Sequence, residues 1–191
     1  MRLRRGFIKE AEEYALEFRQ EMALEKTDPL CPHKLAAHLE IPVHRISTFS
    51  GIPDETKLYF MTKGKDEFSA AVIPIPGEGN HIIFNDYTHL NRQNSSLMHE
   101  ISHILLGHEF IAPLTGDGER KFSKIDEHEA NQLGFTLLVP KHAARAAIEQ
   151  FSSVDEAAFF YGVSNSLMTF RIRKTDASRW AYNRANKRRF G

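Results

Sequence analysis

The sequence predicts an α+β protein, mainly helical, with a small sheet of three or four mostly antiparallel strands beside one polar-centred helix. Apolar residues recur at helical spacing before residue 25 and again from about residue 92. Between these stretches lie short runs rich in β-branched and aromatic residues, separated by Gly and Pro. The length of 191 residues suits one domain spanning the whole chain.

Phe7, Ala11, Tyr14, Ala15, Phe18 and Met22 make one face of a first helix, which ends before Thr27-Asp28-Pro29. A short helix after Pro32 carries Leu35, Ala36 and Leu39 and stops before Pro42. Val43–Phe49, Lys57–Thr62, Phe68–Ile75 and His81–Asn85 are predicted as strands, with Pro76-Gly77-Glu78-Gly79-Asn80 as a hairpin turn. Helices are then predicted over 92–107, 124–137, 141–150 and 153–161, with a last segment from Ser164. Pro113 to Lys121 is predicted to be a mobile polar loop. Residues 1–42 thus form N-terminal helices, 43–140 a core, and 141–191 C-terminal helices with a basic tail.

Lys+Arg and Asp+Glu both number 25, so overall charge selects neither nucleic acid nor an acidic membrane as partner. A single cysteine, Cys31, excludes an intramolecular disulfide and suits a reducing compartment; burial as a small apolar residue is expected for it. Acidic residues interrupt the start of the chain where a signal peptide would be apolar, and no apolar run approaches the roughly 18 residues of a membrane span. A cytoplasmic protein is expected.

The chemistry lies in Leu97-Met98-His99-Glu100-Ile101-Ser102-His103-Ile104-Leu105-Leu106-Gly107-His108. Residues four apart on a helix differ by about 40° in azimuth, so His99 and His103 face the same way and can hold one Zn²⁺. Glu100, about 100° round from His99, is offset from the metal yet within reach of water beside it, as a general base requires. This is the H-E-x-x-H spacing. The apolar helix around it places these polar groups near the interior, where they need partners. A catalytic zinc takes a third protein ligand. His108 is a poor candidate, because an unbroken helix would turn it about 180° from His99. Glu127, His128 and Glu129 on the next helix are all chemically able, and position alone does not choose among them.

His-Glu-Ile-Ser-His-Ile-Leu-Leu-Gly-His, followed by Glu129-Ala130-Asn131 and then Leu137-Leu138-Val139-Pro140, resembles the ImmA/IrrE family of metallopeptidases over roughly residues 30–175. That family's pattern is H-E-x-G-H, E-A-N-x-F-A and L-L-x-P. The resemblance implies Glu129 as third ligand, and a cytoplasmic zinc endopeptidase of narrow specificity. Several members cleave a helix-turn-helix repressor and so switch on mobile-element or stress genes. Ser102 stands in place of Gly, and Leu133-Gly134 in place of Phe-Ala. An oxyanion donor beyond zinc is also needed; Tyr87, His128, His142 and Tyr161 are candidates by residue type.

Val154 to Ser164 resembles the start of a helix-turn-helix, and the region beyond Phe170 is basic. DNA binding there is the weaker reading, because Leu167, Met168, Phe170 and Ile172 are apolar where a recognition helix needs polar groups. The competing function is a non-catalytic zinc protein that regulates by binding DNA or a protein through this region.

Overall fold

The computed structural model describes residues 3–108 and 123–190, with side chains up to residue 184. The polar loop expected at 113–121 lies outside the described residues. The fold is α+β and mainly helical, with one three-stranded sheet among the described residues.

Helix α1 (Phe7–Glu21) starts after Gly6, whose φ of 88° lies in the left-handed region, and buries Phe7, Ala11, Ala15 and Phe18. The period-four spacing read from the sequence is therefore the face that packs on the core, chiefly on α5 (Lys124–Leu138). Helix α2 (Pro32–His38) carries Pro at its first position, where the missing N–H costs nothing. Cys31 precedes it and is exposed, not buried.

The sheet order is β1-β3-β2, from β1 (Val43–Arg45), β2 (Ala70–Ile75) and β3 (Gly79–Phe84). β2 and β3 form the expected antiparallel hairpin, with Gly77 and Gly79 at φ 83° and 88° in its turn. β1, however, pairs with β3 in parallel, Val43 opposite Ile82, so the sheet is mixed. The predicted strand at 57–62 is instead helix α3 (Asp54–Met61). Its start follows helix-initiation chemistry: Pro53 precedes Asp54 and Glu55, acids in a first turn where the helix dipole favours them.

Helix α4 (Leu90–Leu105) is capped by the His89 side chain, which accepts from Asn91 N–H, and buries Leu97, Met98, Ile101 and His103. Helix α5 begins with a capping box between Ser123 and Asp126. Then follow α6 (Lys141–Gln150), α7 (Val154–Phe160), α8 (Asn165–Lys174) and α9 (Ala177–Phe190). Leu167, Met168 and Ile172 of α8 turn inward. Arg171, counted above with a basic tail, is 1% exposed and bonds Val139 O and Glu12 at 2.6 and 2.7 Å. Among the described residues no helix is long and apolar enough to cross a membrane.

Arg19 ties the N-terminal and central layers together. Its guanidinium is buried and donates to Ala15 O, Asp28 O and Leu137 O at 3.0, 2.9 and 3.0 Å. Burial pushes its pKa down to about 10, still well above neutrality. Arg19→Ala removes these donors and leaves a cavity, so it should lower the unfolding free energy by about 3 kcal/mol or more in urea titration. A loss below about 1 kcal/mol would show that the clamp carries no weight.

Candidate metal centre

α4 presents the first two donors and α5 the third. His99 Nε2 and His103 Nε2 lie 3.0 Å apart, with the rings nearly perpendicular at 81°. Glu127 reaches across from α5: Oε2 is 3.4 Å from His99 Nε2, and Oε1 is 3.4 Å from His103 Nε2. With bonds of roughly 2.0–2.1 Å, tetrahedral donors around zinc stand about 3.4 Å apart. The three separations match the edges of such a tetrahedron, and two imidazoles with a carboxylate suit zinc. The residues therefore fit the metal that the motif implies. His99, His103 and Glu127 are the three-donor group that could hold a metal ion among the described residues.

Glu129 points elsewhere. Residues two apart on a helix differ by about 200°, so Glu127 and Glu129 cannot both face α4. Glu129 is 7% exposed and faces the N-terminal segment, where Arg4 donates through its backbone N–H at 3.5 Å and Nε at 3.4 Å. Among the described residues the geometry thus groups Glu127, and not the Glu129 that the resemblance implies, with the two histidines. Asn131, four residues after Glu127 and on its face, donates to Glu127 O at 2.8 Å and lines the cleft beside His99.

Glu100 is 8% exposed, and Val72 N–H donates to its Oε2 at 3.0 Å. This bond fixes the carboxylate against the outward-facing side of β2, the edge strand. Ser69, Ser95, Ser96, His99, Glu100, Glu127, Asn131 and Phe135 line a cleft of about 280 Å³. Here a carboxylate outside the donor group stands beside it, which is the geometry general-base chemistry requires.

None of the four oxyanion candidates lines this cleft. His128 and His142 line a separate cavity on the other side of α5, with Leu3, Phe7 and Leu16. The Tyr161 hydroxyl is spent on Thr27 O at 2.8 Å, and burial pushes its pKa up to about 12. Tyr87 sits in the turn after β3, its N–H bonded to Asn85. Choosing by residue type missed Ser69, Ser95, Ser96, Asn131 and Phe135. Of these, Asn131 alone carried a signal, because it lies one turn after Glu127.

Burial shifts the candidate donors in opposite senses. Burial pushes the His99 pKa down to about 4, although the Asn131 hydrogen bond opposes it. Burial, with Asp126 beside it, raises the Glu127 carboxyl. Burial lowers His108 as well, against the pull of Asp126 and Glu129.

An H-E-x-x-H helix faced by a carboxylate from a second helix defines a metallopeptidase-type site. The family model for the IrrE N-terminal-like domain, peptidase family M78, matches residues 55–173, and the chain belongs to this family. No curated protein matches the chain.

The His99 shift has a measurable consequence. In the metal-free protein His99 protonates near pH 4, whereas its ordinary value is 6.5. Between these values the unfolded chain holds more protons, so stability falls on acidification from 6.5 toward 4. Urea titrations of the metal-free protein should lose about 3 kcal/mol through this group, and His99→Gln should flatten that part of the profile. An equally steep profile in the variant would remove His99 as the cause.

Proposed function

We propose that the chain is a cytoplasmic zinc endopeptidase of narrow specificity, acting on a protein substrate, with a helix-turn-helix transcriptional repressor as the class to test first. The observation that carries this reading is the tetrahedral spacing of His99, His103 and Glu127 beside a fixed, buried Glu100. His99, His103 and Glu127 would hold the ion. Zinc supplies Lewis acidity, polarising a carbonyl and lowering the pKa of water. Glu100 takes the proton from the attacking water and returns it to the leaving amine. The Val72 amide holds Oε2, which leaves the carboxylate little freedom to turn away. Near Val72, β2 offers an edge along which an extended peptide can lie. Ser69, Ser95, Ser96 and Asn131 give the cleft polar groups that a substrate carbonyl could meet.

A cleft of about 280 Å³ admits a few side chains only, which supports narrow specificity. An exposed thiol at Cys31 suits a reducing compartment. The competing reading, a regulator that binds DNA through α7 and α8, draws less support, since α8 turns Leu167, Met168 and Ile172 into the core and Asp155 and Glu156 open α7.

Elemental analysis should find one zinc per chain. It should be lost in His103→Ala and Glu127→Ala, and retained in Glu129→Ala and Glu100→Gln. Glu100→Gln should cut cleavage of a co-purified repressor or a peptide library by about 10²-fold or more with metal in place. Retention in Glu127→Ala with loss in Glu129→Ala would return the third ligand to Glu129. Wild type that takes no zinc would sink the enzyme reading.

A further inference from the structure

We infer that His108 is a positioning residue for the metal site: it holds His103 through the ring nitrogen remote from His99 and Glu127. The inference rests on the metal reading given above. Gly107, at φ 64°, ends the helix in the left-handed region and folds the chain back, so that His108 N–H bonds His103 O at 3.1 Å. His108 thereby escapes the azimuth that a continuous helix would give it. Its ring lies against His103, centroids 4.9 Å apart, and its Nδ1 is 2.8 Å from His103 Nδ1.

Two ring nitrogens at that distance need one donor and one acceptor. His103 Nε2 faces His99 and Glu127, and a metal-binding nitrogen carries no proton. In a neutral imidazole the proton then sits on His103 Nδ1, which donates, and His108 Nδ1 accepts. The His108 proton is left on Nε2, the atom 3.9 Å from Asp126 Oδ1. Every assignment in this chain follows from the first, and each proton meets an acceptor or a negative charge.

Asp126 is itself held. Its Oδ2 accepts from Ser123 N–H at 3.2 Å in the capping box that begins α5. His103 is fully buried, so its ring is shielded from solvent. Partners of this kind fix a ligand's tautomer and ring orientation.

The test measures zinc affinity by chelator competition in the full-length wild type and in His108→Leu, His108→Asn and His108→Gln. The Asn Oδ1 occupies the place of His Nδ1 and keeps the acceptor, whereas the Gln oxygen extends past it. His108→Leu and His108→Gln should bind zinc about 10–100-fold more weakly, and His108→Asn should recover to within about threefold of wild type. Metal-free urea midpoints identify any variant that is simply unstable, and the Asn–Gln comparison stands if the Leu variant does not fold. Unchanged affinity in His108→Gln, or equal weakness in His108→Asn, overturns the inference and leaves His108 a packing residue. Failure of the metal reading is seen separately, as zinc retained in His103→Ala, and it would overturn this inference too.

Discussion

Gly134 has no side chain, and its place on α5 sets how near the two ligand-bearing helices can come. A Cβ there would stand 3.3 Å from Ser102 Oγ, a slightly tight contact, and 3.4 and 3.5 Å from Met98 O and His99 Cα, so the helices leave room for little more than a methyl. Glu127, Asn131 and Gly134 follow one another at i, i+4 and i+7 and form a single stripe facing α4. The stripe begins with the carboxylate nearest the two histidines, continues with Asn131 in the same cleft, and ends with Gly134 packed on α4. The two departures from the family pattern lie across that contact. Ser102 adds a hydroxymethyl where Gly is usual, and Gly134 gives up a methyl where Ala is usual. Ser102 Oγ bonds Met98 O at 2.7 Å, so the added polar atom is satisfied within its own helix.

Around this contact the carboxylates are sorted by their partners. Glu100 and Glu129 are both nearly buried, and an unpartnered carboxylate there would be costly. Glu100 accepts from the Val72 amide and lines the cleft. Glu129 has Arg4, a cation, at 3.4 Å. Glu127 is half-exposed toward the cleft. It also sits in the first turn of α5, where the helix dipole favours a negative charge. Three acids that composition cannot distinguish thus meet three different surroundings, set by helical azimuth and neighbouring charge.

How far the sequence could be read follows the same line. His99, Glu100 and His103 were legible because they share one rigid element whose azimuths are fixed by spacing. The third donor was not, because it depends on the rotation of one helix against another. The family motif pointed to Glu129, and only the stripe through Asn131 and Gly134 selects Glu127. The hairpin at Gly77–Gly79 was legible from local turn chemistry, while the parallel pairing of β1 with β3 is set by topology. At 54–61 the apolar run from Leu58 to Met61 suggested a strand, and the Pro53-Asp54-Glu55 start outweighed it. Tyr161 shows the weakness of choosing site residues by type: its hydroxyl belongs to the core.

The C-terminal helices gain a structural explanation from α4's other end. Asn91 and Asn94, one turn apart near its start, donate to Val163 O and Gly162 O at 2.8 and 2.9 Å. Gly162 is left-handed at φ 62°, and a Cβ there would lie 2.8 Å from Asn94 Nδ2, so glycine serves both the turn and the close approach. The α7–α8 turn, helix-turn-helix-like in sequence, is thereby fastened to the helix that carries the histidines. Arg171 extends this brace to Val139 O, just past the end of α5. Both ligand helices are therefore braced by the same C-terminal unit, at the start of one and the end of the other. A donor group held to within a few tenths of an ångström needs such support, because an error in either helix would be passed on to all three separations.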